Sequence, residues 1–227
     1  MADYINKSII SQAYMHIEPT KLNSVEAVER FKRELRGFAE SRIAFFLGPN
    51  LPIAIDFEEG SLIVRITVIG TISLLLQGVA NYKDFREGIQ LIYADSKRVT
   101  EYIIANASFE AGARQEDVIR LEARMGVIGS IQKLINQLDA IRRGANGLQS
   151  CDILNAKIDE AIIDLEKLLN NVRDPNDQAL VTAGILEISN KIPSTPRPPR
   201  ETINSEAAIF EFRRRRHRLL SVLLSRR

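Results

Sequence analysis

Four prolines in nine residues, IPSTPRPPR from Ile192 to Arg200, constrain this chain more than any other stretch. Proline lacks the N–H that helix and sheet ladders need and fixes its own φ. The segment is therefore read as neither helix nor central strand but as an extended, semi-rigid spacer. It divides the 227 residues into a body and a tail of opposite charge. Residues 193 to 227 hold nine Arg against Glu201, Glu206 and Glu211, a net of +6, which leaves −4 of the overall +2 for residues 1 to 192. With 45% hydrophobic and 26% charged residues, the chain has enough apolar material for a folded body.

The tail closes on FEFRRRRHRLLSVLLSRR. Asn204 or Ser205 can cap a final helix carrying Ile209, Phe212, Leu219, Leu220, Val222, Leu223 and Leu224. Arginines packed this densely repel one another, and an anion relieves the repulsion. Arg213, Arg214, Arg215, Arg216, Arg218, Arg226 and Arg227 are the candidate anion-binding residues. Phe212, Leu219, Leu220, Leu223 and Leu224 are the candidates for docking or insertion. Three partners fit these features, and a plain solvated tail is the alternative to all of them. A nucleic-acid backbone would be held without sequence preference. An anionic membrane would take the leucines while the arginines sat at its head groups. A groove on another subunit would make the protein a homo-oligomer.

In the body, KLNSVEAVERFKRELRGFAESRIAFFL predicts an amphipathic helix, with Asn23 as its cap, Glu26 three positions on, and Gly48-Pro49 closing it. LPIAIDFEEGSLIVRITV alternates as a β-hairpin. A four-residue loop over Glu58 to Ser61 would set Phe57 opposite Leu62, Ile55 opposite Val64 and Ile53 opposite Ile66, with Asp56 diagonal to Arg65 and Gly60 at positive φ. Residues 66 to 82 carry no charge but fall short of a membrane span. They are read as the end of a strand and a buried helix, with membrane entry as the alternative. Tyr82, Phe85, Ile89, Ile92, Val99 and Ile103 stripe a long helix.

Three further helices are expected. One runs from about Glu116 to Arg143, one from about Cys151 to Val172, and one from a cap at Asp174 to about Lys191. Their short connections predict an antiparallel bundle or coiled-coil hairpin. The expected fold class is α+β, mainly α: an N-terminal helix, one hairpin, a long helix, an antiparallel bundle and a tethered basic helix. The corresponding divisions are an arm at 1–22, a helix–hairpin–helix unit at 23–108, a bundle at 109–192, a linker at 193–204 and the tail at 205–227.

The chemistry readable from the sequence leans away from an enzyme. No phosphate-binding glycine loop, nucleophile elbow, HExxH or paired cysteine ligands occur. Asp56, Glu58 and Glu59 cluster at the hairpin tip, where polar residues are the usual filling of a turn. Asp159, Glu160, Asp164 and Glu166 mix with Lys157 and Lys167 on a helix face. A single cysteine, Cys151, and only His16 and His217 leave no cofactor or metal set to infer, and no small-molecule substrate is inferred. No secretory signal is visible in the first thirty residues, so the expected location is cytoplasmic, with peripheral membrane contact as the variant. IAIDFEEGSLIVRITV and ANYKDFREGIQLIYADSKRV together resemble a segment of small bacterial proteins that pair an EGSL hairpin with a hydrophobic helix, some of them near conflict or defence genes. That resemblance spans about residues 51 to 104, implies a bacterial origin and assigns no functional residue. The function expected is that of a non-catalytic, self-associating interaction protein. A membrane-acting effector using residues 66–80 and a nucleic-acid binder are the alternatives.

Overall fold

The computed structural model describes residues 8–19, 21–58, 62–79, 83–200 and 205–226. Expectations that rest on Glu59, Gly60, Tyr82, Asn204 and Arg227 lie outside the described residues. The chain divides into two compact units, Met1–Lys83 with Glu87–Gly129, and Asp84–Arg86 with Ser130–Arg227. The α+β, mainly helical class stands: the described residues hold seven α-helices and one antiparallel sheet of four strands.

The first unit runs β1 (Ile9–Ile17), α1 (Val25–Leu47), β2 (Ile53–Glu58), β3 (Leu62–Ile69), α2 (Ile72–Gly78), α3 (Phe85–Glu110) and β4 (Val118–Arg124), in the sheet order β2-β3-β1-β4. Apart from the short α2, this β-α-β-β-α-β connectivity is that of a split βαβ unit. Ser24, not Asn23, caps α1, its side chain accepting from the Ala27 N–H. Phe31, Leu35, Ala39, Ile43 and Leu47 form the buried stripe of α1, and Ile89, Ile92, Val99 and Ile103 that of α3. Residues 66–79 supply the end of β3 and the helix α2, whose Ile72, Leu75 and Leu76 are buried. Among the described residues no helix is long and apolar enough to cross a membrane.

Three expectations change here. The hairpin exists, but Ile53 faces Val68, Ile55 faces Ile66 and Phe57 faces Val64. That register is two residues from the expected one, so every side chain keeps its face. It also sets Asp56 directly opposite Arg65, and Glu58, part of the strand, forms an ion pair with Arg65. The segment read as an N-terminal arm contributes β1, a central strand between β3 and β4. Its Gln12 is nearly buried and satisfied, donating to Thr67 Oγ1 at 2.8 Å and accepting from Arg124 at 2.8 Å. Finally, residues 118–124 are the edge strand β4 and not the first turns of a helix. The turn that follows needs glycine: Gly126 has φ +37°, and a Cβ there would lie 2.1 Å from the Ile9 carbonyl oxygen.

The second unit packs α4 (Gly126–Gly144), most of which belongs to it, with α5 (Cys151–Asn171), α6 (Pro175–Asn190) and α7 (Glu206–Leu224). Asp174 caps α6 as expected, accepting from the N–H groups of Asn176 and Asp177. The core takes Ile131, Leu134, Ile135 and Leu138 from α4, Leu154, Ile158, Ile162 and Leu165 from α5, and Val181 and Ile185 from α6.

The proline-rich segment is not a free spacer. The Arg197 N–H donates to the Ala145 carbonyl at 2.8 Å, Ile192 is buried, and the Ile192 carbonyl accepts from Arg216 Nε at 2.9 Å. Nor does α7 stand apart, because it packs on α5 and α6 with Phe212, Leu219 and Leu223 fully buried. Burying three such side chains stabilises the docked helix by roughly 5–9 kcal/mol before ordering costs, at about 1.5–3 kcal/mol each.

Candidate functional site

Ser205 starts α7, its hydroxyl accepting from the Ala208 N–H, with Glu206 in the first turn. From there the helical period sorts the basic block into two sets. Phe212, Leu219 and Leu223, spaced seven and four apart, share one face and fix it inward. Arg215 and Arg216 flank that face and are half-buried. Arg215 holds Asp159 of α5 at 2.8 Å and also pairs with Glu211, and the Asp159 hydrogen bond raises its already high pKa. Arg216 is bound to the Ile192 carbonyl. These two arginines, expected to meet an external anion, are thus spent on their own subunit. Phe212, Leu219 and Leu223, expected to dock or insert elsewhere, fill their own core. Leu220 is half-buried, and Leu224 is exposed.

The opposite face is open. Arg213, Arg214, His217 and Arg218 are exposed there, and Arg226, two residues past the helix, is exposed as well. Arg213 donates to Thr195 Oγ1 at 2.9 Å and Arg226 to Asn170 Oδ1 at 3.0 Å, neutral partners that leave the charge in place. Arg214 shares Glu211 with Arg215, and Arg218 lies 3.8 Å from Glu166, at the limit of an ion pair. Phe210 and Leu224, both exposed, stand at the two ends of this cationic stripe. Beside it a groove between α5 and α7 is lined by Asp159, Ile162, Ile163, Arg214, Arg215 and Arg218. Arg214 and Arg218, four residues apart, project on the same side of the helix, so their guanidinium forks can reach neighbouring anionic oxygens.

The carboxylates considered for chemistry are scattered or paired. Asp56 faces Arg65 across the hairpin, and Glu58 pairs with Arg65. Burial pushes Asp164 upward, but hydrogen bonds from Lys133 and Gln137 outweigh it and hold the carboxyl below its ordinary range. Burial pushes the Cys151 thiol above its usual value. Among the described residues no three or more His, Cys, Asp or Glu side chains gather as a metal site.

A second arrangement went unread in the sequence. Tyr14 of β1 has three guanidinium groups over its ring, Arg65 at 5.6 Å, Arg120 at 5.7 Å and Arg124 at 4.1 Å. Glu122 pairs with both Arg120 and Arg124, and the Arg120 hydrogen bond draws its carboxyl below the ordinary range. The period-two alternation of Gln12, Tyr14 and His16, and of Arg120, Glu122 and Arg124, is the signal that finds this face.

No family model, curated protein or solved structure matches the chain.

Proposed function

We propose that the protein is a non-catalytic interaction module whose second unit holds an anionic partner, a nucleic-acid backbone, through the outward arginines of α7 and Arg226 just beyond it. The observation that carries this reading is the division of the basic block: Arg215 and Arg216 are engaged within the subunit, whereas Arg213, Arg214, Arg218 and Arg226 keep exposed guanidinium groups against few carboxylates. Phosphate contacts of this kind position a duplex without reading its sequence. A membrane partner is less well supported, because Phe212, Leu219 and Leu223 are occupied in the bundle, leaving Phe210 and Leu224 as the exposed apolar groups of the helix.

Fluorescence anisotropy with a short labelled duplex tests the reading. Four neutralised phosphates give a log–log salt slope of about −3.6, roughly a hundredfold loss of affinity between 50 and 200 mM salt. R213Q/R214Q/R218Q should cut the slope to about −1 while leaving the thermal transition in place. Binding unaffected by salt or by the triple substitution would overturn the proposal. So would stronger binding to vesicles of anionic lipid than to the duplex at equal salt.

A further inference from the structure

Among the described residues β4 ends one side of the sheet with β1 as its one strand neighbour, and an edge strand turns alternate N–H and C=O groups away from that neighbour. Natural edges are blunted by proline, by charged side chains, by β-bulges or by a covering element. The other edge, β2, follows that practice: Pro52 precedes it, and it carries Asp56 and Glu58 with no cation of its own. β4 has neither proline nor glycine, its charges are of both signs, and its one irregularity is the register shift against β1 at Ile119. Its Ile119, skipped where the register against β1 shifts, is 54% exposed, and its Leu121, opposite the buried Met15 of β1, is 39% exposed. On the other face stand Arg120, Glu122 and Arg124, with the Arg120 side chain 55% exposed.

One register pairs the whole of this strand with a second copy of itself and matches its charges. Residues directly opposite in an antiparallel pair share a face, so pairing β4 with a second β4 must keep like faces together. Centred on Arg120, the pairing sets Arg120 against Arg120. Centred on Glu122, it sets Glu122 against Glu122 and Arg120 against Arg124. Centred on Leu121, it sets Arg120 opposite Glu122 and Glu122 opposite Arg120, with Leu121 on Leu121 and Ile119 on Ala123. Centred on Ala123, it sets Glu122 opposite Arg124 but pairs only residues 122–124 of the strand. The Leu121 register is the one that pairs all seven residues of β4, sets opposite charges on both sides of the dyad and stacks apolar residues on the other face. The two-fold symmetry is isologous and closes at two copies. We propose that β4 pairs antiparallel with β4 of a second copy of this chain, centred on Leu121, joining two four-stranded sheets into one. The surface belongs to the first unit and goes beyond the α7 reading, whose failure would leave it untouched.

Sedimentation velocity on the full chain tests it through charge exchange. The wild-type chain should run at twice the mass of one copy. Arg120→Glu sets carboxylates against Glu122 of the second copy, and Glu122→Arg sets guanidinium groups against Arg120. Each variant alone should dissociate, with affinity reduced tenfold or more by two like-charge pairs replacing two attractive ones. An equimolar mixture of the two variants restores both opposite-charge pairs and should recover the dimer as a one-to-one heterodimer, which also shows that both variants fold. Amide exchange of residues 118–124 in the wild-type chain should quicken on dilution through the dissociation range. A wild-type monomer at every concentration, a dimer indifferent to either substitution, no recovery on mixing, or growth beyond two copies would each overturn the proposal.

Discussion

Leu219→Ala is the most direct measure of whether α7 belongs to the bundle. Leu219 is fully buried on a helix that packs against α5 and α6. Truncating such a leucine removes its transfer energy and leaves a cavity that the neighbours only partly fill, a loss of about 2–5 kcal/mol. Leu224, five residues on and 56% exposed, is the internal control, and its truncation should cost within about 0.5 kcal/mol. Urea unfolding followed by far-ultraviolet circular dichroism gives both numbers, and amide exchange locates them. In the Leu219→Ala chain, exchange should quicken across α5 and α6 as well as α7, because release of α7 uncovers their apolar faces. Equal effects from the two substitutions, or quickened exchange confined to 205–226, would refute the inference that α7 is structural. In that case the basic helix would be an appendage after all.

Three further outcomes follow from local geometry. Gly126→Ala should destabilise the first unit by more than about 2 kcal/mol, since it adds positive-φ strain to a direct clash with the Ile9 carbonyl; a melting temperature unchanged from wild type would contradict this. The Asp164 carboxyl titrates lower folded than unfolded, so its stabilisation is complete above the unfolded pKa and disappears as pH falls through the folded one. Asp164→Asn should therefore cost stability at neutral pH and flatten the decline in acid, as read by urea midpoints from pH 7 to pH 3. Cys151, buried with a raised thiol pKa, should react with a thiol reagent only in urea, and rapid labelling of the native chain would refute its placement.

Where one segment carried its own pattern, its element was legible: α1, the β2–β3 hairpin, α3, α5 and α6 all follow from apolar spacing, caps and turn residues. What escaped were the two strands that depend on a distant partner. In β1, the pair Ile9-Ile10 and the buried Ser11 and Gln12, beside a register shift against β3, blur the alternation that would mark a strand. In β4, Ile119-Arg120-Leu121-Glu122-Ala123-Arg124 alternates cleanly, yet Val118, Leu121, Met125 and Ile128 also satisfy helical spacing and lead into a real helix. Pairing with β1, about a hundred residues earlier, decides between the two periods. The hairpin register slipped by two because an even shift preserves both faces, so face composition alone cannot distinguish the two pairings.

The candidate site was half legible for a related reason. Composition marks the arginine block, but only the docking angle of α7 says which arginines are spent. That angle is fixed by Phe212, Leu219 and Leu223, residues whose apolar character suits insertion into a partner as well as packing at home. Once they are buried, the 3.6-residue period assigns Arg215 and Arg216 to the flanks and Arg213, Arg214 and Arg218 to solvent. Inward and outward arginines must then separate by experiment. Arg215→Gln leaves Asp159 without its cation and Glu211 with Arg214 alone, and should lower stability, whereas R213Q/R214Q/R218Q should alter only association with anions. A helix that was merely tethered would show no such division, because every arginine on it would be equally free.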